Sequence, residues 1–65
     1  MLLSIPDMSC EHCKATVERT IIDIDSMADV VVSLQRRQAR VKTTAAPEAI
    51  LGALKAAGYP AKRLD

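Results

Sequence analysis

Two cysteines separated by two residues are the feature of this 65-residue chain most capable of chemistry. Cys10 and Cys13 can direct their sulfur atoms at one ion if the residues between them form a turn. Thiolates are soft ligands that favour Cu(I), Zn(II) and similar metals over Mg²⁺ or Ca²⁺. Two ligands are too few for a structural zinc site, which takes four. The pair therefore predicts a carrier of a soft metal ion, with Cu(I) as the first candidate and Zn(II) as the second.

Three further side chains near the cysteines are candidate supporting residues. Met8 can act as a thioether ligand, but flexible Met side chains more often fill gaps in a core. His12 stands between the cysteines and can serve as a third ligand or recruit zinc, although a solvated position is the default. Lys14 follows Cys13, and its charge can offset that of a negative metal dithiolate.

The cysteines stand where a predicted strand ends and a predicted helix begins. Leu3 and Ile5 alternate with their neighbours before Pro6, as in a short strand that runs into a loop. A helical spacing of apolar residues then predicts a helix from about Glu11 to Asp23, with a buried face made of Cys13, Val17, Ile21 and Ile24. Free N–H groups and the helix dipole at such an N-terminus lower a thiol pKa and stabilise a negative metal dithiolate.

The second half of the chain predicts a hairpin, a helix and a last strand. Residues 30–34 and 39–43 alternate on either side of a polar turn that contains Arg36 and Arg37. Pro47 begins the helix, and Gly58 followed by Pro60 ends it. Its predicted buried face consists of Ile50, Leu51, Leu54 and Ala57. A short strand at residues 61–64 follows.

This order of elements predicts an α+β fold for a single domain, residues 1–65: a ferredoxin-like βαββαβ sandwich with two helices on a four-stranded antiparallel sheet. Right-handed crossovers make the first two strands run the same way. The cysteine loop, the hairpin turn and the turn at Tyr59 are then expected at one end of the molecule.

Composition excludes several function classes. The chain has one Tyr, no Trp and no Phe, and its nine basic and eight acidic residues give a net charge of +1. It therefore lacks the stacking aromatic residues and the basic groove of a nucleic-acid-binding protein. Neither a secretory signal nor the ~20 consecutive apolar residues of a membrane span is visible. We expect a cytoplasmic protein without membrane insertion, in which both thiols are reduced.

Over nearly its whole length the sequence resembles the heavy-metal-associated domain family, which includes bacterial copper chaperones and the soluble domains of copper-transporting P-type ATPases. The resemblance rests on the spacing of Met8, Cys10 and Cys13, and on further positions along the chain: Val17, Glu18, Val30, Val32, Leu34, Val41, Ala57, Gly58, Tyr59 and Ala61. It implies that Cys10 and Cys13 bind the metal and that Met8 supports the loop from a buried position. It also implies that Tyr59 neighbours the site and that copper is delivered to an ATPase.

These observations predict a non-catalytic Cu(I) chaperone that transfers its ion by ligand exchange to a P-type ATPase metal-binding domain or to another cysteine-bearing acceptor. A copper-bridged homodimer through the exposed loops is a further possibility. Three alternatives remain open: a zinc, mercury or cadmium handler, for which Asp7 and His12 give some support; a dithiol redox protein that cycles a Cys10–Cys13 disulfide; and an interaction module that does not use the cysteines.

Overall fold

The computed structural model describes residues 1–65. Its elements follow in the predicted order: β1 (Leu2–Ser4), α1 (Glu11–Ile24), β2 (Asp29–Ser33), β3 (Gln38–Lys42), α2 (Pro47–Ala56) and β4 (Lys62–Arg63). Two helices lie on a four-stranded antiparallel sheet, and the predicted ferredoxin-like α+β fold is confirmed.

The strand order in the sheet is β2-β3-β1-β4. Strand β3 pairs antiparallel with both β1 and β2, so β1 and β2 run in the same direction. The chain that leaves β1 therefore emerges at the same end of the sheet as the turn between β2 and β3. A backbone hydrogen bond of 2.8 Å from the Ile5 N–H to the Arg37 carbonyl joins the two segments.

Nine aliphatic residues form the core between the sheet and the helices, and none of the buried residues is polar. They are Leu3, Ile5, Met8, Val17, Ile21, Ala39, Val41, Ile50 and Leu54. The alternation in β1 and the helical spacing in α1 and α2 place most of these residues in the core as predicted. The absence of large aromatic residues leaves the hydrophobic effect of aliphatic side chains as the main stabilising contribution.

Two predicted core positions are wrong. Ile24 is 37% exposed, and Ala57 is exposed as well. Ile24 is the last residue of α1 and Ala57 follows the last residue of α2, and neither side chain belongs to the buried cluster or packs against it. Helical periodicity predicts which face of a helix points inward, but it does not reveal where the opposing layer ends.

The boundaries of the hairpin differ from the prediction by one residue. Both strands begin and end one position earlier, because Leu34 belongs to a turn in which its carbonyl accepts the Arg37 N–H at 3.2 Å. Arg37 has a φ of 54°, the only left-handed conformation outside glycine in the chain. A residue with a Cβ atom in this region costs about 1 kcal/mol relative to its usual conformations.

The remaining boundaries agree closely with the prediction. Helix α1 extends one residue further than expected, to Ile24, and β4 occupies the middle of the predicted last strand. None of the helices is both long enough and apolar enough to span a lipid bilayer.

Candidate metal site

A tight turn connects β1 to the cysteines. The Met8 N–H donates to the Ile5 carbonyl at 3.0 Å, which closes a four-residue turn with Pro6 in its second position. Proline suits that position because its fixed φ matches the turn. The Met8 side chain is fully buried in the core. The chain is thus anchored two residues before Cys10.

Cys10 is the N-cap of α1, and its backbone is extended, with φ −144° and ψ 167°. Its Sγ atom accepts the Cys13 backbone N–H at 3.3 Å, as a serine or aspartate oxygen does at many helix starts. The Sγ atoms of Cys10 and Cys13 lie 2.8 Å apart, and both thiols are free. Cys10 is exposed and Cys13 is half-buried. The first turn of the helix therefore brings two thiols together at an open surface.

The Cys13 thiol is more acidic than an ordinary cysteine. The hydrogen bond from Cys10 is the largest cause, followed by the Tyr59 hydroxyl and by backbone N–H groups, and together they lower the pKa of Cys13 to about 7. Partial burial acts in the opposite direction and is outweighed. A large fraction of Cys13 is thiolate at neutral pH, and the thiolate is the form of cysteine that binds metals and acts as a nucleophile.

Tyr59 lies next to Cys13, at the end of α2. Gly58, with a φ of 92°, reverses the chain after the helix, and the Tyr59 N–H donates to the Leu54 carbonyl at 2.8 Å. The ring is half-buried against the core. Interaction with Cys13 is the main cause that raises the pKa of the Tyr59 hydroxyl. The hydroxyl thus stays protonated at neutral pH and remains a hydrogen-bond donor for the thiolate.

The other predicted site residues are placed as follows. His12 is exposed in the first turn of α1, where its carbonyl accepts the Thr16 hydroxyl at 3.0 Å. Lys14 is half-buried and forms no ion pair, since both ion pairs of the molecule involve Asp65. The structure contains no group of three or more His, Cys, Asp and Glu side chains arranged to hold one metal ion. Metal ligation by Cys10 and Cys13, and a supporting role for Met8, His12, Lys14 and Tyr59, stay predictions.

Sequence reasoning missed two neighbours of the site. The Thr16 hydroxyl lies one helical turn from Cys13 and interacts with the Tyr59 hydroxyl. The sequence did contain a signal for this contact, because residues three positions apart on a helix lie on the same face. The Arg37 side chain reaches the loop from the hairpin turn and donates to the Pro6 carbonyl at 3.3 Å. Nothing in the local sequence indicates that contact, since 31 residues separate the two positions.

Comparison with known proteins gives a family match. Residues 2–60 match the family described as heavy-metal-associated domain. The copper-exporting P-type ATPase of Vibrio cholerae serotype O1 is 33% identical over 64 residues, which are 97% of this chain but only 7% of the ATPase. The mercuric transport protein periplasmic component of Pseudomonas aeruginosa is 36% identical over 61 residues, which cover 89% of this chain and 67% of that protein.

Solved structures agree with this assignment. A crystal structure of a gold binding protein superposes with a TM-score of 0.93 at 37% identity, covering 95% of each chain. The copper chaperone Atx1 from Synechocystis PCC6803 superposes with a TM-score of 0.92 at 26% identity, covering 95% of this chain and 98% of its own. Proteins similar to this chain in sequence or in fold are thus named for copper, mercury and gold.

Proposed function

Because the chain belongs to the heavy-metal-associated domain family, we propose that it is a Cu(I) chaperone that carries the ion between Cys10 and Cys13. The observation that carries this proposal is the convergence of the two Sγ atoms, 2.8 Å apart, on the exposed first turn of α1. Cu(I) is a soft ion that thiolate ligands select. The proposed activity is binding and transfer, without a catalysed reaction.

The geometry supports transfer by ligand exchange. No third ligand from this chain joins the two thiols, and Cys10 is open to solvent. A partner cysteine can therefore lose its proton and form a new Cu–S bond before a Cu–S bond to Cys10 breaks. The released Cys10 thiolate then takes up a proton, the second exchange at Cys13 completes the transfer, and copper remains Cu(I) throughout.

The proposed recipient is a cysteine-bearing acceptor such as the metal-binding domain of a copper-transporting P-type ATPase. Similarity to a segment of the Vibrio cholerae ATPase supports this choice, because related surfaces can present two cysteine pairs to one ion. We further propose that residues 1–65 act as one domain in the cytoplasm, and that two copies can share copper through their exposed loops.

A second candidate function is the binding and transfer of mercury or another thiophilic ion. The mercuric transport protein and the gold binding protein are the relatives that favour it, at 36% and 37% identity. The same pair of thiols would bind either metal. The identity of the bound ion therefore depends on the relative affinities of Cu(I) and the other metals for these two thiols. Zinc and cadmium handling and dithiol redox chemistry use the same cysteines and are separated by the same experiment.

The test is an anaerobic titration of the reduced protein with Cu(I), Hg(II) and Zn(II), each against a competing chelator. We expect Cu(I) to bind and the double variant Cys10→Ser, Cys13→Ser to lose it. The control is Met27→Ser, which removes another sulfur atom from a residue that is 87% exposed and lies outside the loop. Retention of Cu(I) by the double variant contradicts the proposal. Preferential binding of Hg(II) or Zn(II) moves the assignment to that metal, and reduction of protein disulfides without metal favours redox chemistry.

A further inference from the structure

The loop that carries the cysteines is tied to the hairpin turn by a single residue, Arg37. Here the metal loop means residues 5–13, from the end of β1 to the first turn of α1. The Arg37 carbonyl accepts the Ile5 N–H at 2.8 Å, and the Arg37 guanidinium donates to the Pro6 carbonyl at 3.3 Å. Arg37 thus contacts two consecutive residues at the start of the metal loop, once through its backbone and once through its side chain.

The backbone conformation of Arg37 makes the choice of residue informative. Its φ of 54° closes the hairpin loop as the left-handed residue after a turn, a position that normally favours glycine or asparagine. The turn itself needs only a backbone, which supplies the bonds to Leu34 and Ile5. An arginine adds steric strain there, and its side chain contributes only the contact with Pro6.

The contact with Pro6 acts on the turn that sets the position of Cys10. The carbonyl of Pro6 belongs to the Ile5–Met8 turn, and the turn delivers the buried Met8 two residues before the N-cap cysteine. A donor on this carbonyl restricts the rotation of the peptide group between Pro6 and Asp7. Fewer alternative loop conformations leave the thiols closer to the geometry that holds an ion.

We infer that Arg37 is a positioning residue of the metal loop, which holds the Pro6 carbonyl and thereby slows release of the ion from Cys10 and Cys13. This inference rests on the proposed function for its effect on the metal, but its effect on the loop is independent of any metal. The neighbouring Arg36 provides a contrast: its side chain makes no hydrogen bond, and only its backbone N–H is bonded, to the Ser33 hydroxyl at 3.3 Å.

The experiment compares Arg37→Gly and Arg37→Asn with the matched control Arg36→Gly. Both replacements at position 37 suit a left-handed backbone, and both lack a group that reaches Pro6. Amide hydrogen exchange is measured in the reduced protein without metal at the Met8 and Cys13 N–H groups, with the Ile21 N–H in the middle of α1 as reference. Transfer of Cu(I) from each variant to a chelator is then followed anaerobically.

We expect both Arg37 variants to exchange the Met8 and Cys13 amides about threefold faster, as for the loss of one exposed hydrogen bond, with the Ile21 amide unchanged or slower. Cu(I) release is expected to accelerate by a similar factor, and Arg36→Gly to behave like the wild type. If Arg37 only closed the turn, Arg37→Gly would relieve strain and leave the exchange rates of the Met8 and Cys13 amides unchanged.

Equal exchange at Met8 and Cys13 in the wild type and both Arg37 variants would overturn the inference. The same conclusion follows if Arg36→Gly loosens the loop as much as Arg37→Gly does. Failure of the wild type to bind Cu(I) instead contradicts the proposed function, while the exchange rates without metal still decide whether Arg37 holds the loop.

Discussion

The two strand-to-helix connections of this fold differ in what their side chains are bonded to. At the first, between β1 and α1, Cys10 caps the helix and both thiols are accessible. At the second, between β3 and α2, the N-cap is Ala46, which has no side-chain hydrogen bond, and Pro47 begins the helix. Because β1 and β3 are antiparallel, the two connections lie at opposite ends of the sheet.

The polar groups of the second connection are bonded to one another. The Thr43 hydroxyl donates to Asp25 Oδ2 at 2.6 Å and accepts the Ala45 N–H at 3.1 Å. Asp25 Oδ1 accepts the Met27 N–H at 3.0 Å, so one carboxylate joins the end of α1 to the segment between β3 and α2. This end of the molecule contributes stability, whereas the thiols at the other end remain available to a ligand.

The largest effect is expected from the buried anchor of the first connection. Met8→Ala removes a fully buried side chain and leaves a cavity, at a loss of about 3 kcal/mol in the free energy of unfolding. That is a large share of the roughly 3 to 10 kcal/mol expected for a domain of this size. Urea unfolding of the reduced protein measures the change.

Met27→Ala is the matched control for Met8→Ala, because Met27 is 87% exposed and lies in the turn after α1. Its free energy of unfolding is expected to stay within about 0.5 kcal/mol of the wild type. Equal stability of the two variants would show that Met8 does not anchor the first connection.

A smaller effect concerns the reactivity of the first connection. With the pKa of Cys13 lowered to about 7, its alkylation by iodoacetamide should rise with pH around neutrality. At pH 7 the rate should exceed that of an unperturbed cysteine by about fivefold, since a larger thiolate fraction outweighs lower intrinsic nucleophilicity. Cys10→Ala removes the donor that is the main cause of the lowered Cys13 pKa, and we expect it to move the midpoint of the alkylation rate to higher pH. A midpoint unchanged by Cys10→Ala would assign the lowered pKa of Cys13 to Tyr59 or to backbone N–H groups.

The last of the three effects tests the stability of the second connection. Thr43→Val loses the bonds to Asp25 and Ala45, and the neutral bond from Ala45 alone is worth about 1 kcal/mol of stability. The Thr43 hydroxyl is the main cause that lowers the pKa of Asp25. A depressed carboxyl pKa contributes stability above the pKa of the unfolded chain, about 3.9, and that contribution is lost as pH falls through the folded value. The difference in the free energy of unfolding between the wild type and Thr43→Val should therefore be largest at pH 7 and become smaller as the pH falls.

The adjacent Thr44 gives the control for this measurement, since it is exposed and its side chain forms no hydrogen bond. Thr44→Val should leave the stability and its pH dependence close to those of the wild type. A pH-independent loss of stability in Thr43→Val would mean that the bond between Thr43 and Asp25 does not stabilise the second connection.

Local sequence patterns predicted most of the fold. Alternation and helical spacing indicated the first five elements, and the core residues of β1, α1 and α2 followed from the same periodicity. The errors at Ile24 and Ala57 have one cause. Helical spacing predicts which side of a helix faces the core, whereas burial also requires a residue of the opposing layer to pack against it. The positions of Cys10 and Cys13 at the start of α1 were likewise predictable, because a turn followed by a helical pattern is a local signal.

The sequence by itself determined the residue types of the candidate site, their spacing, and the helix start on which they lie, because these depend on neighbours within a few positions. Only the tertiary structure decided which distant groups meet them. The strand directions and the family resemblance predicted Tyr59 near the cysteines, but the contact of the Arg37 guanidinium with the Pro6 carbonyl appears only when the packed elements meet. The bond between Asp25 and Thr43 is of the same kind. Such contacts arise from the packing of whole elements, and no local pattern encodes them.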